Sequence, residues 1–240
     1  MTPPHDRLEK IRAALRSDAR IRDTGTPIHV ALEEGDLLLE GEVDHVAGKR
    51  LALEAAARVF GPGRIIDRLH VKPATPMGDG EIRDRVRDAL LEEAVLAECS
   101  IGVWSKGRLE TAREPEFAKG HVEIKVEDGV VTLDGEVIGL GEKRLAGVLA
   151  WWVPGSRDVI NGIGVTPPDT DSDDAITDAV RQVIERDKLV DGTAIEVGTR
   201  KSVVVLLGSA RSEAERRMAE ADAWYVFGVD GVVNELDVQP

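Results

Sequence analysis

The sequence predicts an α/β (α+β) fold made of three tandem αββαβ units, each with a small three-stranded mixed sheet and two helices. One observation is a repeat: aligning Gly41, Gly135 and Gly208 brings similar residues into register on both sides without a gap. The others are two periodicities, since apolar residues alternate before each glycine, as in strands, and recur at helical spacing after it. The predicted units span residues 1–74, 79–168 and 173–240.

Each unit is expected to begin with a helix, because a small sheet covered by one helix would leave part of its apolar face in water. Apolar residues at helical spacing place these helices at residues 7–15, 82–96 and 176–184. The second unit also carries an insertion around residues 99–120 that has no counterpart in the other two. We expect the insertion to be a surface excursion.

A β-hairpin follows the first helix of each unit. Its inward face is predicted by apolar residues eleven and two positions before the aligned glycine: Val30, Ile124 and Val197, then Leu39, Leu133 and Leu206. Glu34-Gly35 and Asp128-Gly129 should turn the first two hairpins, because glycine readily adopts the positive φ of a tight turn. Lys201-Ser202 occupies this place in the third unit, so a different turn type is expected there.

The second helix and the third strand complete each unit. Alanines eleven and fifteen residues after the aligned glycine, and a valine eighteen after it, have the i, i+4, i+7 spacing of one helical face. Gly61, Gly155 and Gly228 come twenty residues after that glycine and are expected to end the helix in the left-handed C′ conformation. The aligned glycines themselves, within or just after a strand, indicate special backbone geometry or a close approach.

The amino-acid composition disfavours several classes of protein and partner. The formal charge is -14, with 45 acidic against 31 basic residues, which disfavours nucleic acid as a partner. Cys99 is the sole cysteine, so an intrachain disulfide is excluded and a reducing compartment is favoured. The N-terminal residues lack the apolar region of a signal peptide, and no apolar run is long enough for a transmembrane segment. We expect a cytoplasmic location.

Catalytic and metal-binding motifs are hard to find in this sequence. The five histidines form no metal-binding pair, Cys99 has no obvious activating neighbour, and no phosphate-binding glycine loop occurs. Asp169, Asp171 and Asp173 resemble the start of a calcium loop, but Asp174 stands where that loop requires glycine. Asp173 or Asp174 is instead expected to cap a helix. We predict no enzyme and no cofactor, and the identity of any bound metal stays open.

Four aromatic residues are the candidate ligand or interface residues: Trp151, Trp152, Trp224 and Tyr225. Trp151 and Trp224 stand sixteen residues after the aligned glycine, about 140° around the helix from the core-facing alanine, so they are expected to point outward. One interpretation is contact with a lipid interface or ligand, and the other is packing between repeats or protomers. The second is the one we favour.

The order of elements, together with DGVVTLDGEV, GEKRLAGVLA and VPGSRDVINGIGV in the second unit, resembles the BON domain family. The third unit keeps GVDGVVNELDV, and the first has Asp67 where Asn161 and Asn234 stand. The resemblance implies a non-enzymatic module associated with osmotic stress that attaches to a phospholipid surface or a protein partner. It also implies an alternative, a cytoplasmic potassium-binding sensor. A third hypothesis is a protein-interaction scaffold whose repeats dock other proteins. A homo-oligomer is compatible with each.

Overall fold

The computed structural model describes residues 4–18, 21 and 27–239, and the chain divides into two compact bodies, residues 1–72 and 73–240. The first body contains one αββαβ unit. Its elements are α1 (Pro4–Ser17), β1 (His29–Glu33), β2 (Asp36–Val43), α2 (Val46–Phe60) and β3 (Ile65–Val71). The strand order is β1-β2-β3, with β1 antiparallel and β3 parallel to β2.

The core of this unit lies between the sheet and both helices. The alternating side chains Leu37 and Leu39 of β2 form one buried cluster with Ile11 of α1 and Ala56 of α2. Both helices therefore pack on the same face of the sheet, as the sequence periodicities require.

The second body contains two further units. The elements of the middle unit are α3 (Asp79–Glu92), β4 (Cys99–Ser105), β5 (Arg108–Arg113), β6 (Gly120–Glu127), β7 (Val130–Val137), α4 (Leu140–Trp151), β8 (Asp158–Asn161) and β9 (Gly164–Val165). Those of the third unit are α5 (Asp173–Arg186), β10 (Ile195–Arg200), β11 (Val203–Ala210), α6 (Glu213–Tyr225) and β12 (Gly231–Val238). Short 3-10 helices span Ala94–Leu96 and Gly192–Ala194.

The predicted fold class is confirmed, because the three hairpins share one register. Val30 pairs with Leu39, Ile124 with Leu133, and Val197 with Leu206. In each unit the last strand then runs parallel to the second hairpin strand. The sequence repeat therefore corresponds to the same strand pairings in all three units.

The insertion is not a surface excursion, so that expectation is wrong. Residues 99–113 form the hairpin β4-β5, and β4 pairs parallel to β6, which enlarges the middle sheet to six strands in the order β5-β4-β6-β7-β8, with β9 also on β7. Cys99, Ile101 and Val103 on one side of β4 enter the core. Burial of these apolar side chains explains why the segment joins the sheet.

The expected difference in turn type is also wrong. In all three hairpins both central residues have positive φ, and in the third unit these are Lys201 (φ 53) and Ser202 (φ 60). Asp173 explains how this turn forms without glycine, because its carboxylate accepts the backbone N–H groups of Lys201 at 2.8 Å and Ser202 at 2.9 Å. Asp79 makes the same contacts with the turn of the middle unit, at 3.0 and 2.9 Å.

Asp173 therefore does not cap its own helix. The cap is Ser172, whose hydroxyl accepts the N–H of Ala175 at 3.1 Å. The two turn N–H groups, Ser202 first and then Lys201, lower the pKa of Asp173 below its usual value. Asp173, one of the aspartates that resemble a calcium loop, thus has a structural role at the turn.

Replacing Ser202 by glycine is expected to stabilise the third unit by about 0.5 to 1 kcal/mol. A residue with a Cβ pays roughly 1–2 kcal/mol in the left-handed region, partly offset by the larger unfolded-state entropy of glycine. The urea midpoint measures this effect. Ser209→Gly, at an ordinary strand position of β11, should instead lower the midpoint.

A repeated polar contact ties the third strand to the second helix. Asn161 Nδ2 donates to Lys143 O at 2.7 Å, and Asn234 Nδ2 donates to Arg216 O at 2.9 Å. Asp67 cannot donate in this way, and in the first unit the ammonium of Lys49 supplies the bond instead, 3.0 Å from the Asp67 carboxylate. The difference between Asp67 and the two asparagines is thus compensated by a neighbouring side chain.

The helix-ending glycines differ from one another. Gly61 directly follows α2 and its N–H donates to Ala57 O, with a positive φ of 77 as expected, but its ψ of -154 is not that of the left-handed helical conformation. For Gly155 the expectation is wrong, because its φ is not positive, and a Cβ there would lie 2.6 Å from the Met77 Cβ. Gly228 has φ 95 but lies beyond the cap residue Val226, where a Cβ would meet the Asp171 carboxylate at 2.6 Å. Close packing is the requirement at Gly155, and close packing together with a positive φ is the requirement at Gly228.

Candidate functional site

The four candidate aromatic residues lie at the ends of α4 and α6, where the second and third units meet. The rings of Trp151 and Tyr225 stack across the two units, with centroids 5.5 Å apart and planes inclined by 10°. The indole of Trp152 donates to the Asp222 carboxylate at 2.8 Å. The structure therefore brings Trp151, Trp152 and Tyr225 together in contacts between units.

Trp224 does not point into solvent, so that expectation is wrong. Its side chain is 1% exposed, and its helix α6 contacts α5 of the same unit and α4 of the middle unit. Its Nε1 is buried without a hydrogen-bond partner among the described residues. The helical-face argument considered only the side of α6 that faces the sheet, and the two helices that pack beside α6 account for the different result.

Asp222 is a buried carboxyl group inside this contact. It is 2% exposed, and its Oδ2 has no hydrogen-bond donor among the described residues. Burial raises the pKa of Asp222 to about 8; the Trp152 indole opposes this rise, and the charge of Asp187 and a hydrogen bond with it add to it. Burial is also the main reason that the pKa of Tyr225 rises to about 12. The site thus holds a neutral Asp222 at neutral pH.

A second group of contacts lies at the start of α4. Arg144 is 3% exposed, its Nε donates to Phe227 O at 2.9 Å, and its Nη2 bonds to the Asp171 carboxylate. Lys143 places its ammonium 4.2 Å from the centroid of the Phe227 ring. Burial lowers the pKa of Lys143 below its usual value. A buried arginine with carbonyl and carboxylate partners fixes the geometry of the contact between the two units.

Trp104 marks a different feature, on the sheet face of the middle unit that the helices leave uncovered. It is 38% exposed, and with Glu123, Lys125, Thr132 and Asp134 it lines a shallow depression of about 290 Å³. The Trp104 Nε1 donates to Glu123 Oε2 at 2.8 Å, which fixes both side chains. This depression combines an aromatic ring with carboxylates on an accessible surface.

The sequence interpretation missed Trp104 because it treated the insertion as irregular. A signal was present: Cys99, Ile101 and Val103 alternate with polar residues or glycine, and Lys106-Gly107 is a tight-turn pair. Those features predict a hairpin, and in that hairpin Trp104 must face away from the core. The buried state of Asp222, by contrast, depends on a neighbouring unit that no local pattern specifies.

Within residues 4–18, 21 and 27–239, no group of three or more His, Cys, Asp or Glu side chains is placed to hold a metal ion. The monovalent-cation site implied by the resemblance stays a prediction. Cys99 is buried, and burial raises the pKa of its thiol, so it does not have the character of a reactive thiolate. In the part of the chain that the structure describes, no helix has the length and apolar character needed to cross a membrane.

A family model of the BON domain matches residues 6–73, 105–167 and 172–240. The chain belongs to the BON domain family. The three matches fall on the three sheets, and the middle one begins at the last residue of β4, so α3 and most of β4 lie outside it. The BON domain is a binding domain and not a known catalytic one.

Solved structures similar to this BON chain come from CdsD, a structural protein of the type III secretion system of Chlamydia trachomatis. The C-terminal domain of CdsD is 14% identical with a TM-score of 0.26, covering 99% of this chain and 100% of that one. A second CdsD structure is 14% identical with a TM-score of 0.25, covering 98% of this chain and 93% of that one. The search of curated proteins found no match.

Proposed function

We propose that the protein is a non-enzymatic binding protein that docks a protein partner through the uncovered face of its middle BON sheet. The observation that carries this proposal is the depression formed by Trp104, Glu123 and Asp134. A partner of this kind presents a lysine or arginine side chain. An indole face and nearby carboxylates both attract such a cation.

Charge on the surrounding strand positions supports a basic partner. Glu127 and Glu136 share the face of Glu123, so carboxylates outnumber the single ammonium of Lys125. That ammonium is itself paired with Glu127 at 2.9 Å. A positively charged protein surface is attracted here, and electrostatic complementarity of this kind increases both specificity and association rate.

The same features disfavour an anionic phospholipid surface as the primary target. Anionic headgroups would meet a carboxylate-rich face on a chain of net charge -14. Trp151, Trp152 and Tyr225, which could otherwise insert into a bilayer, are engaged between two BON domains. A role under osmotic stress is implied by the family resemblance and stays a prediction.

Site-specific photo-crosslinking in the source cells tests this proposal. A photoreactive amino acid at Leu109, which pairs with Trp104 across β4-β5, reports what touches the face. We expect a discrete protein adduct that weakens at least tenfold when Glu123 and Asp134 become Gln and Asn. The matched control is Glu110→Gln with Glu114→Gln, which removes the same charge from exposed positions off this face and should leave the adduct unchanged.

Adducts that consist of lipid, or a protein adduct insensitive to the Glu123 and Asp134 changes, would contradict the proposal. Sedimentation with anionic and zwitterionic vesicles provides the complementary measurement. We expect the protein to remain in the supernatant with both. Pelleting that depends on Trp104 would assign the depression to lipid instead.

A further inference from the structure

The uncovered face of the third BON sheet carries an apolar patch. Val203, Val205 and Leu207 alternate along β11 on the side opposite the buried residues Val204 and Leu206. Val233 of β12 pairs with Val205 and extends the patch sideways. Leu207 and Val233 are 42% and 43% exposed, so apolar side chains form a contiguous exposed surface across two strands.

The other two units carry carboxylates at the Leu207 position, whereas each of the other patch positions is apolar in at least one of them. Leu207 of the third unit corresponds to Glu40 of the first and Asp134 of the second. Val205 corresponds to Leu38 of the first unit and Thr132 of the second, and Val233 corresponds to Ile66 and Ile160. Since the repeat tolerates carboxylates at the Leu207 position, its leucine is not required by the BON fold. The exposed Leu207 therefore indicates contact with something outside its own unit.

Gly198 is a second and independent indication. It lies in β10 opposite Val205, its φ is not in the left-handed region, and a Cβ there would meet no atom within 4 Å. The corresponding residues are Ala31 and Lys125, which have side chains. Glycine weakens a strand interior and often marks a place where another backbone approaches closely. Nothing within the unit requires glycine at this position.

The charges around the patch are segregated along the strand direction. Glu196 and Glu235 flank Leu207 at one end, and Arg200 pairs with Val203 at the other, followed by Lys201 at the turn. Glu196, Glu235 and Arg200 form no ion pair with any other residue that the structure describes. A face that is acidic at one end and basic at the other complements a copy of itself turned end for end.

We propose that two copies of the chain associate through this face of the third BON sheet, packed sheet on sheet about a two-fold axis near Val205. The axis lies between the two sheets and perpendicular to β11, so the acidic end of each copy meets the basic end of the other. Such an isologous contact closes after two copies. Because the exposed apolar side chains lie on only two short strands, we expect a reversible, concentration-dependent dimer.

This contact is independent of the Trp104 depression, which lies on the middle sheet. Sedimentation equilibrium of the full chain over a range of concentrations measures it. We expect a monomer–dimer equilibrium whose dissociation constant rises at least tenfold in Gly198→Lys and in Leu207→Glu. Gly198→Lys places a long side chain where the isolated unit has open space. Leu207→Glu introduces the residue type that the first unit has at the corresponding position. Circular dichroism and the urea midpoint establish that both variants remain folded.

Leu189→Glu is the matched control, because Leu189 is 68% exposed and lies outside the sheet; its dissociation constant should equal that of the wild type. Charge substitutions provide a further test. Glu196→Lys should weaken the dimer, because it places like charges opposite each other, and adding Arg200→Glu in the same chain should restore it. A chain that stays monomeric at all concentrations would overturn the proposal. So would a dimer that Gly198→Lys and Leu207→Glu leave unchanged.

Discussion

Raising the pH from about 4 to about 8 is expected to destabilise the joined second and third BON domains, because Asp222 holds a proton when folded and releases it on unfolding. Burial is the main cause of its raised pKa, about 8 against a usual value of 3.8. Between these values the folded state binds more protons, so the free energy of unfolding falls by up to about 1.4 kcal/mol per pH unit. Above pH 8 this contribution stops changing.

Asp222→Asn isolates this effect from the other titrating groups. The amide oxygen of the asparagine can still accept the hydrogen bond from the Trp152 indole N–H. Its amide N–H can donate to Asp187, and it carries no titrating proton. We expect the variant to be the more stable protein at pH 8 and the difference to shrink as the pH falls toward 4. Urea unfolding of both proteins at a series of pH values measures it. Parallel pH profiles would show that Asp222 is ionised in the fold.

The second large effect is expected for Gly135→Val, which should destabilise the middle BON domain by about 3 kcal/mol or more. Gly135 has φ 124, and a Cβ there would lie 2.2 Å from His121 O on the paired strand β6. Unlike the end of a flexible side chain, a backbone carbonyl cannot move aside without breaking the ladder. Strain at a special φ and overpacking are both among the mechanisms of the largest mutational losses.

The aligned glycines of the other units serve as internal comparisons. Gly208 has the same close approach, with Ala194 O 2.1 Å from its hypothetical Cβ, whereas at Gly41 the nearest atom is 3.6 Å away. Alanine at Gly135 and Gly208 should therefore be much more costly than alanine at Gly41. Hydrogen exchange resolves the stability of each domain separately. Equal losses at all three would assign the effect to backbone conformation alone.

Much of the fold follows from the sequence because the determining patterns are local and occur three times. The register of Val30, Ile124 and Val197 is specified by the alternation and by the turn that follows. The error at Lys201-Ser202 has a physical cause, since the turn N–H groups are bound by Asp173, 28 residues away along the chain. Local turn rules take no account of such a partner.

The candidate site was less predictable, because it depends on which units meet. The aromatic residues were recognised from their rarity and equivalent positions, and the burial of Trp224 requires the neighbouring helices. Arg144 and Asp222 are charged residues on amphipathic helices and look like ordinary surface positions until the third unit packs beside the second. Trp104 was predictable in principle, from the alternation in the inserted segment.

The central claim is that the helix-end aromatic residues join two BON domains and leave binding to the uncovered sheet faces. Acrylamide quenching of the Trp104→Phe variant tests it most directly, because the remaining fluorescence comes from Trp151, Trp152 and Trp224. We expect weak quenching in the folded protein, identical with and without anionic or zwitterionic vesicles, and strong quenching only in urea. Strong quenching of the folded protein that vesicles suppress would show that these residues face a membrane, and would contradict the account.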